Sequence, residues 1–265
     1  MSTGRYGPWP DEGPAPRYGP VDRVAVLSDV HGNVPALTAV LGDLSSWRPD
    51  LVVFCGDLTW GCEPDQTIDL VRDLPAVFVR GNSERAVVEF ARGTRQPVRP
   101  REIWMAAQHS PAAVEFVAAF PFSVVVNVRE LGPVRFCHGS PRSDTELVTP
   151  GTPDERILEL SAGVPEPTIV TGHTHLQFDR RVGGRRSVNP GSVGLPYHVG
   201  APGTAYWATL GPDVHLRQTS YDVDEAVRRG ASVGDPSADV IERMLRQPTT
   251  PDEIIADAES LVFSD

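Results

Sequence analysis

Cysteine is scarce in this sequence: 265 residues hold only Cys55, Cys62 and Cys137. An odd, widely spaced trio excludes a disulfide framework and predicts a reducing, cytoplasmic setting. Cys55 and Cys137 each end an apolar run, where a small buried thiol serves packing. Cations are few as well. The chain has 24 Lys and Arg against 35 Asp and Glu, a formal net charge of −11. Such a surface repels a phosphate backbone, so no extended nucleic acid is expected as a partner. A small phosphorylated substrate stays compatible, because bound metal ions can reverse the potential inside one cleft. No apolar run is long enough to span a membrane, and the first twenty residues lack the apolar core of a secretory signal. No internal repeat is present.

What is there begins with a Gly/Pro-rich stretch, residues 1–20, read as a disordered or loosely docked tail. From Val21 onward, apolar runs alternate with helical spacing. Arg23–Ser28, Asp50–Cys55 and Ala76–Val79 read as buried strands. Between them lie helices carrying Leu37, Val40, Leu41 and Leu44, then Ile68, Val71 and Leu74, with a third beginning near Ala86. This alternation predicts right-handed crossovers and a largely parallel sheet covered on both faces. Residues 101–119 read as one helix. Val124–Val128, Val134–Cys137 and Thr168–Thr171 read as strands of a second sheet, with a helix at Ile157–Leu160. Two hairpins follow, the first turning at Gly183-Gly184 and the second at Gly211-Pro212-Asp213. The domain is expected over 21–222, with an acidic helical extension over 223–265 whose apolar stripe is Ile254, Ala258 and Leu261. The fold class is α/β, two packed mixed sheets flanked by helices.

Five short motifs each follow an apolar run: Asp29-Val30-His31, Gly56-Asp57, Gly81-Asn82, His138-Gly139 and Gly172-His173-Thr174-His175. In open α/β sheets the strand carboxyl ends form the ligand rim. Carboxylate, imidazole and amide oxygen donors suit divalent Mn, Fe, Zn or Ni, and no cysteine joins them, which excludes a tetrathiolate zinc site. Taken singly, each motif is an ordinary turn or a satisfied histidine. Taken in order, at successive strand exits, they predict a metal site. Glycine before Asp57, Asn82 and His173 is expected to let the chain turn sharply.

The order of these motifs resembles the calcineurin-like metallophosphoesterase superfamily. Val188-Asn189-Pro190-Gly191-Ser192-Val193-Gly194 looks like its small bacterial branch, the YfcE-like phosphodiesterases. The resemblance runs from about Val24 to Asp222. It implies a four-layer α-β-β-α sandwich and a hydrolase of phosphate esters with two divalent metal ions. It also implies that Asp29, His31, Asp57 and His175 hold one ion, and that Asp57, Asn82, His138 and His173 hold the other, with Asp57 bridging. A metal-bridging hydroxide would then be the nucleophile, and Asp57, Asn82 and His138 would be catalytic through the ions they hold.

One position departs from the family pattern. Most members have a histidine after Gly-Asn, placed to neutralise the leaving oxygen; here the residue is Ser83. A serine is a poor acid, and general acid catalysis contributes about 10²–10⁴-fold. Diesters and anhydrides are therefore expected over alkyl monoesters. The competing role for Ser83 is a helix N-cap. Glu84 reads as a carboxylate behind the site or a first-turn charge. Arg85 reads as a substrate-phosphate contact or an exposed ion pair. His198 is a candidate substrate contact, ahead of His109 at a helix break and His215 in a hairpin. Trp60, Tyr197 and Trp207 could stack on a base, though packing is the simpler use. Other readings are a phosphoprotein phosphatase and a metal-stabilised binding protein. A homo-oligomer is compatible with the sequence.

Overall fold

The computed structural model describes residues 6–261. The chain runs β1 (Arg17–Val21), β2 (Val24–Leu27), α1 (Val34–Trp47), β3 (Leu51–Phe54), α2 (Pro64–Val71), β4 (Ala76–Phe78) and α3 (Asn82–Arg92). Next come α4 (Pro100–Gln108), α5 (Pro111–Ala118), β5 (Ser123–Val128), β6 (Gly132–Cys137), α6 (Asp154–Ser161) and β7 (Thr168–Val170). The last elements are β8 (Phe178–Val182), β9 (Arg185–Asn189), β10 (Thr204–Leu210), β11 (Val214–Ser220), α7 (Val223–Ser232), α8 (Ala238–Arg246) and α9 (Pro251–Glu259).

They form two mixed sheets. One has the order β11-β10-β2-β3-β4, the other β1-β5-β6-β7-β9-β8. In the first, β2, β3 and β4 are parallel and β10 is antiparallel to β2. Unbroken apolar runs suit these strands because both faces are buried. Val24, Val26 and Val53 pack against Val124, Val126 and Phe136 of the other sheet. Ala25, Leu27, Val52 and Phe54 point the opposite way, into α1, α2, α3 and α5. Across the second sheet, Leu160 of α6 packs with Val148 and Phe178. The result is the four-layer sandwich. Truncating a ring as buried as Phe54 should cost about 3–5 kcal/mol.

The structure corrects three expectations. Residues 101–119 make two helices, because Pro111 has no N–H to continue the first. Ser110 caps the second, accepting from the Ala113 N–H at 3.1 Å. The supposed loose tail is docked from Tyr6 onward: β1 pairs in parallel with β5, Arg17 opposite Val125, and the Trp9 ring covers the Arg80 guanidinium at 4.2 Å. Residues 1–5 of that tail lie outside the described residues. In the expected C-terminal stripe only Ala258 is buried, and Leu261 is exposed. Helices α7 and α8 return to the body, where Ala226 and Leu245 pack on Leu195. The final residues of the extension, 262–265, also lie outside the described set. Among the described residues no helix is long and apolar enough to cross a membrane.

Candidate metal centre

The two sheets present their strand exits to one rim. Asp29 and His31 follow β2, and Asp57 follows β3. Asn82 opens α3 after β4. His138 follows β6, and His173 and His175 follow β7. Backbone hydrogen bonds tie these exits together. The Asp29 N–H donates to the Gly56 carbonyl and the His31 N–H to the Asp57 carbonyl, both at 3.0 Å. The Gly172 N–H donates to the His138 carbonyl at 2.7 Å and the Gly194 N–H to the Asp29 carbonyl at 3.0 Å. The rim is therefore held by main chain, leaving its side chains for other work.

Of the three preceding glycines only Gly56, at φ 93°, turns the chain through a positive φ. The ligand candidates themselves adopt left-handed backbone: Asp29 at φ 53°, His31 at 50°, Asp57 at 52°, His173 at 65° and His175 at 57°. A non-glycine residue in that region costs roughly 1–2 kcal/mol. Five such residues on one rim mark strain kept for the sake of their side chains. Gly81 and Gly172 supply space instead. A Cβ on Gly81 would collide with the Asp57 carboxylate, and one on Gly172 with the Ser28 hydroxyl.

The donor atoms converge with unsatisfied charge. His31 Nδ1 lies 3.2 Å from the Trp60 carbonyl, His138 Nδ1 2.8 Å from the Cys55 carbonyl and His175 Nδ1 2.6 Å from the Leu195 carbonyl. A carbonyl only accepts, so each Nδ1 carries the hydrogen and a neutral ring offers its Nε2 lone pair. Yet the Nε2 atoms of His31 and His175 are 3.1 Å apart, and His138 Nε2 is 3.0 Å from Asn82 Oδ1. His175 Nε2 is 3.2 Å from Asp29 Oδ1. Acceptors facing acceptors at these distances repel unless positive charge lies between them. Asp29 Oδ1 and His173 Nε2 are buried with no hydrogen-bond partner. Nitrogen and oxygen donors of this kind fit a divalent transition metal.

Two tight groups result, Asp29 with His31 and His175, and Asp29 with Asp57 and His138; the ligand atoms within each lie within 4.8 Å of one another. Asp29 belongs to both, whereas the family pattern would place it with one ion. Asp57 faces both clusters, with Oδ1 3.4 Å from His138 Nε2 and Oδ2 3.8 Å from His31 Nε2. The His173 ring sits 4.9 Å from that of His138. Electrostatics agree with a centre that wants cations. Burial pushes His31 and His173 down to about 4. Burial also works against charge on Asp29, but His175, His138 and His31 hold its carboxyl well below the usual range. Against the same burial, Asp57 raises His138 and Asp29 raises His175. The carboxylates thus draw positive charge onto the rings, a demand that bound metal meets directly.

Around this rim several expected roles change. Ser83 is not the N-cap; Gly81 holds that position and Ser83 lies inside the first turn of α3. The Ser83 N–H donates to Asp57 Oδ1 at 3.0 Å and its hydroxyl to Asp57 Oδ2 at 2.7 Å. Both donors are spent orienting one carboxylate. Glu84 is fully buried and accepts from the N–H groups of Asp57, Leu58 and Gly81 at 2.9, 2.8 and 2.8 Å. Burial, then the nearby Asp57 charge, raise its carboxyl to about 7. Arg85 makes the expected ion pair but is buried, with Nε 2.9 Å from Asp144 and its guanidinium 3.7 Å over the Tyr6 ring. His198 accepts from the Gly200 N–H at 3.0 Å and packs 5.2 Å from the Tyr206 ring, contacts that do not reach the rim. His109 is a buried structural residue between the Met105 carbonyl and the Thr59 hydroxyl. Tyr197 stacks on His175, and Trp207 donates to Thr219.

Sequence reasoning missed the residues that hold the ligands. The carbonyls of Cys55, Trp60 and Leu195 have no side-chain signature. Asn189 and Ser192 did carry a signal, in the Asn-Pro-Gly-Ser run. Asn189 donates to the Gly172 carbonyl and Ser192 to the Asp29 carbonyl, both at 2.7 Å.

Comparison with known proteins agrees with this fold. The calcineurin-like phosphoesterase superfamily domain matches residues 23–210. An uncharacterised protein of Methanocaldococcus jannaschii is 27% identical over 194 residues, 65% of this chain and 76% of that one. The crystal structure of a metallophosphoesterase from Sphaerobacter thermophilus is similar with a TM-score of 0.68 at 24% identity, covering 84% of this chain and 98% of that chain. A hypothetical protein from Pyrococcus horikoshii has a TM-score of 0.71 at 18% identity, covering 86% and 99%. The chain belongs to the calcineurin-like phosphoesterase superfamily and is a metal-dependent phosphoesterase with its candidate ligands gathered on one rim.

Proposed function

We propose that the protein is a binuclear hydrolase of a small phosphorylated metabolite or nucleotide in the cytoplasm, favouring diesters and anhydrides over alkyl phosphomonoesters. Asp29, His31, Asp57 and His175 would hold one divalent ion, and Asp57, Asn82, His138 and His173 the other. The observation that carries this reading is the convergence of ring Nε2 atoms, one amide oxygen and two carboxylates on one rim, with the Nε2 atoms of His31 and His175 only 3.1 Å apart. Manganese, iron, zinc or nickel would supply hydroxide near neutral pH and offset charge on the phosphoryl oxygens.

The chain's own groups do the rest. The carbonyls of Cys55, Trp60 and Leu195 fix the ring tautomers. Ser83 and Glu84 hold Asp57 and the turns on either side of it. Because the Ser83 hydroxyl donates to Asp57, it has no proton to give a leaving oxygen. That supports substrates whose leaving group departs without protonation. The test compares turnover of bis(p-nitrophenyl) phosphate and glycerol phosphate, with metal content determined on the same preparation. Two ions per chain and faster diester cleavage are expected; faster glycerol phosphate cleavage would refute the preference.

A further inference from the structure

A cleft of about 490 Å³ opens beside Asn82 and Ser83. Three arginines line it, Arg95, Arg99 and Arg101, together with Pro236 and Ser237 from the connection between α7 and α8. Clefts of this size accommodate a small ligand. In a chain of net charge −11, a concentration of cations next to the reacting centre is out of keeping with the rest of the surface.

Arg95 is held by Glu102 at 2.8 Å and lies 4.0 Å from Glu89, and Glu102 also accepts from the N–H groups of Val98 and Arg99 at 2.9 and 3.0 Å. Arg101 reaches Asp235 at 3.4 Å, a long contact. Arg99 is exposed, and its side chain makes no ion pair among the described residues. A guanidinium fork of this kind matches a phosphate group better than it matches solvent.

We infer that this cleft receives the leaving group, and that the substrate is a phosphoanhydride whose departing portion is itself a phosphate. The inference rests on the proposed hydrolase reading and narrows its substrate class. The chemistry is self-consistent. Water oxygen bonds to phosphorus, and the P–O bond to the departing phosphate breaks with its electron pair on the leaving oxygen. The water protons pass to the products and to solvent. A phosphate leaving group needs no general acid, which suits a site whose Ser83 proton is committed to Asp57. It does need its growing negative charge offset, which Arg99 and its neighbours provide. An alkoxide or aryloxide leaving group carries charge on one oxygen only and has no phosphate oxygens for a guanidinium fork to grip.

Arg99→Glu tests this, with Arg228→Glu as the control: the same charge change at an exposed position on α7, outside the cleft. With metal-loaded protein, kcat/KM is measured for adenosine diphosphate and for bis(p-nitrophenyl) phosphate. Loss of one charge-assisted phosphate contact should lower the ratio of the two by about tenfold or more in Arg99→Glu. The ratio should hold in Arg228→Glu. Calorimetric binding of the non-hydrolysable α,β-methylene analogue of adenosine diphosphate gives a readout independent of turnover, and should weaken by a similar factor only in Arg99→Glu. Equal analogue affinity in wild type and Arg99→Glu, or an unchanged substrate ratio, would overturn the inference. Failure of the wild type to cleave either substrate would instead count against the hydrolase reading, while the binding measurement would still decide the role of the cleft.

Discussion

The ligand rim and the cleft wall beside it are built in opposite ways. The rim places its residues on turns immediately beyond strands and ties those turns by main-chain hydrogen bonds, such as that from the Asp29 N–H to the Gly56 carbonyl. The wall is assembled by side chains: Arg95 pairs with Glu102, and Arg101 with Asp235 from the connection between α7 and α8. Main-chain geometry tolerates little drift, and phosphoryl chemistry needs its charges fixed in place before the reaction. Side-chain contacts at half-exposed positions can be exchanged at small cost. The difference teaches that the ligand rim is fixed by topology, while the cleft wall rests on contacts that are easily altered.

If that contrast holds, the greatest damage should come from Asp57, which faces both groups of candidate ligands. Asp57→Asn keeps the shape but removes the charge. Activity should fall by more than the roughly 10–100-fold that loss of a ligand's hydrogen-bond partner costs. Bound metal, measured by mass spectrometry, should drop below that of the wild type. Full metal content with wild-type turnover would remove Asp57 from the centre. Next in size is Glu84→Gln. A neutral amide has one acceptor oxygen for the three N–H groups that the carboxylate now serves. Activity and metal affinity should each fall by about 10–100-fold, read from a metal titration of turnover. A wild-type titration curve would show that the main chain alone suffices to hold the turn.

The contrast also explains what could be read in the sequence. Asp29, Asp57, Asn82 and the four histidines were legible because few other residue types supply such donors, and because each follows a strand-like run. The strands themselves were legible from their unbroken apolar runs, which two buried faces demand. Ser83 was misread as a cap because a polar first turn hides where a helix begins: α3 starts at Asn82, ahead of its first apolar residues. Arg85 was read as an ion pair at the surface, and its burial was hidden because no local pattern shows that Asp144 will lie 2.9 Å away. The N-terminal segment was missed for a similar reason. It has no apolar periodicity, and it docks through backbone pairing and through two rings laid over arginines.

A smaller effect would sharpen the border between rim and wall, since Ser83 belongs to both. It orients Asp57 and also lines the cleft. Ser83→Ala should lower diester turnover by about tenfold, the low end for a ligand's hydrogen-bond partner. Ser83→His should shift the ratio of glycerol phosphate to bis(p-nitrophenyl) phosphate turnover upward, because an imidazolium can protonate an alkoxide. An unchanged ratio would place the side chain away from the leaving group and leave only its contact with Asp57.

The smallest expected effect concerns a segment that lies outside both regions yet braces the rim from behind. Arg80 immediately precedes Gly81-Asn82 and is only 1% exposed. Burial lowers the pKa of its guanidinium, which is served by the Gly7 carbonyl at 2.7 Å, by Glu12 at 3.3 Å and by the face of Trp9. Trp9→Ala removes the face and keeps the polar partners. A desolvated cation–π contact is worth about 1–2 kcal/mol, so the loss should appear as a fall of that size in unfolding free energy. Turnover should change little, because the strand exits are tied by their own main chain. A large loss of turnover without loss of stability would show that the N-terminal segment positions Asn82, and the rim could no longer be described as fixed by topology alone.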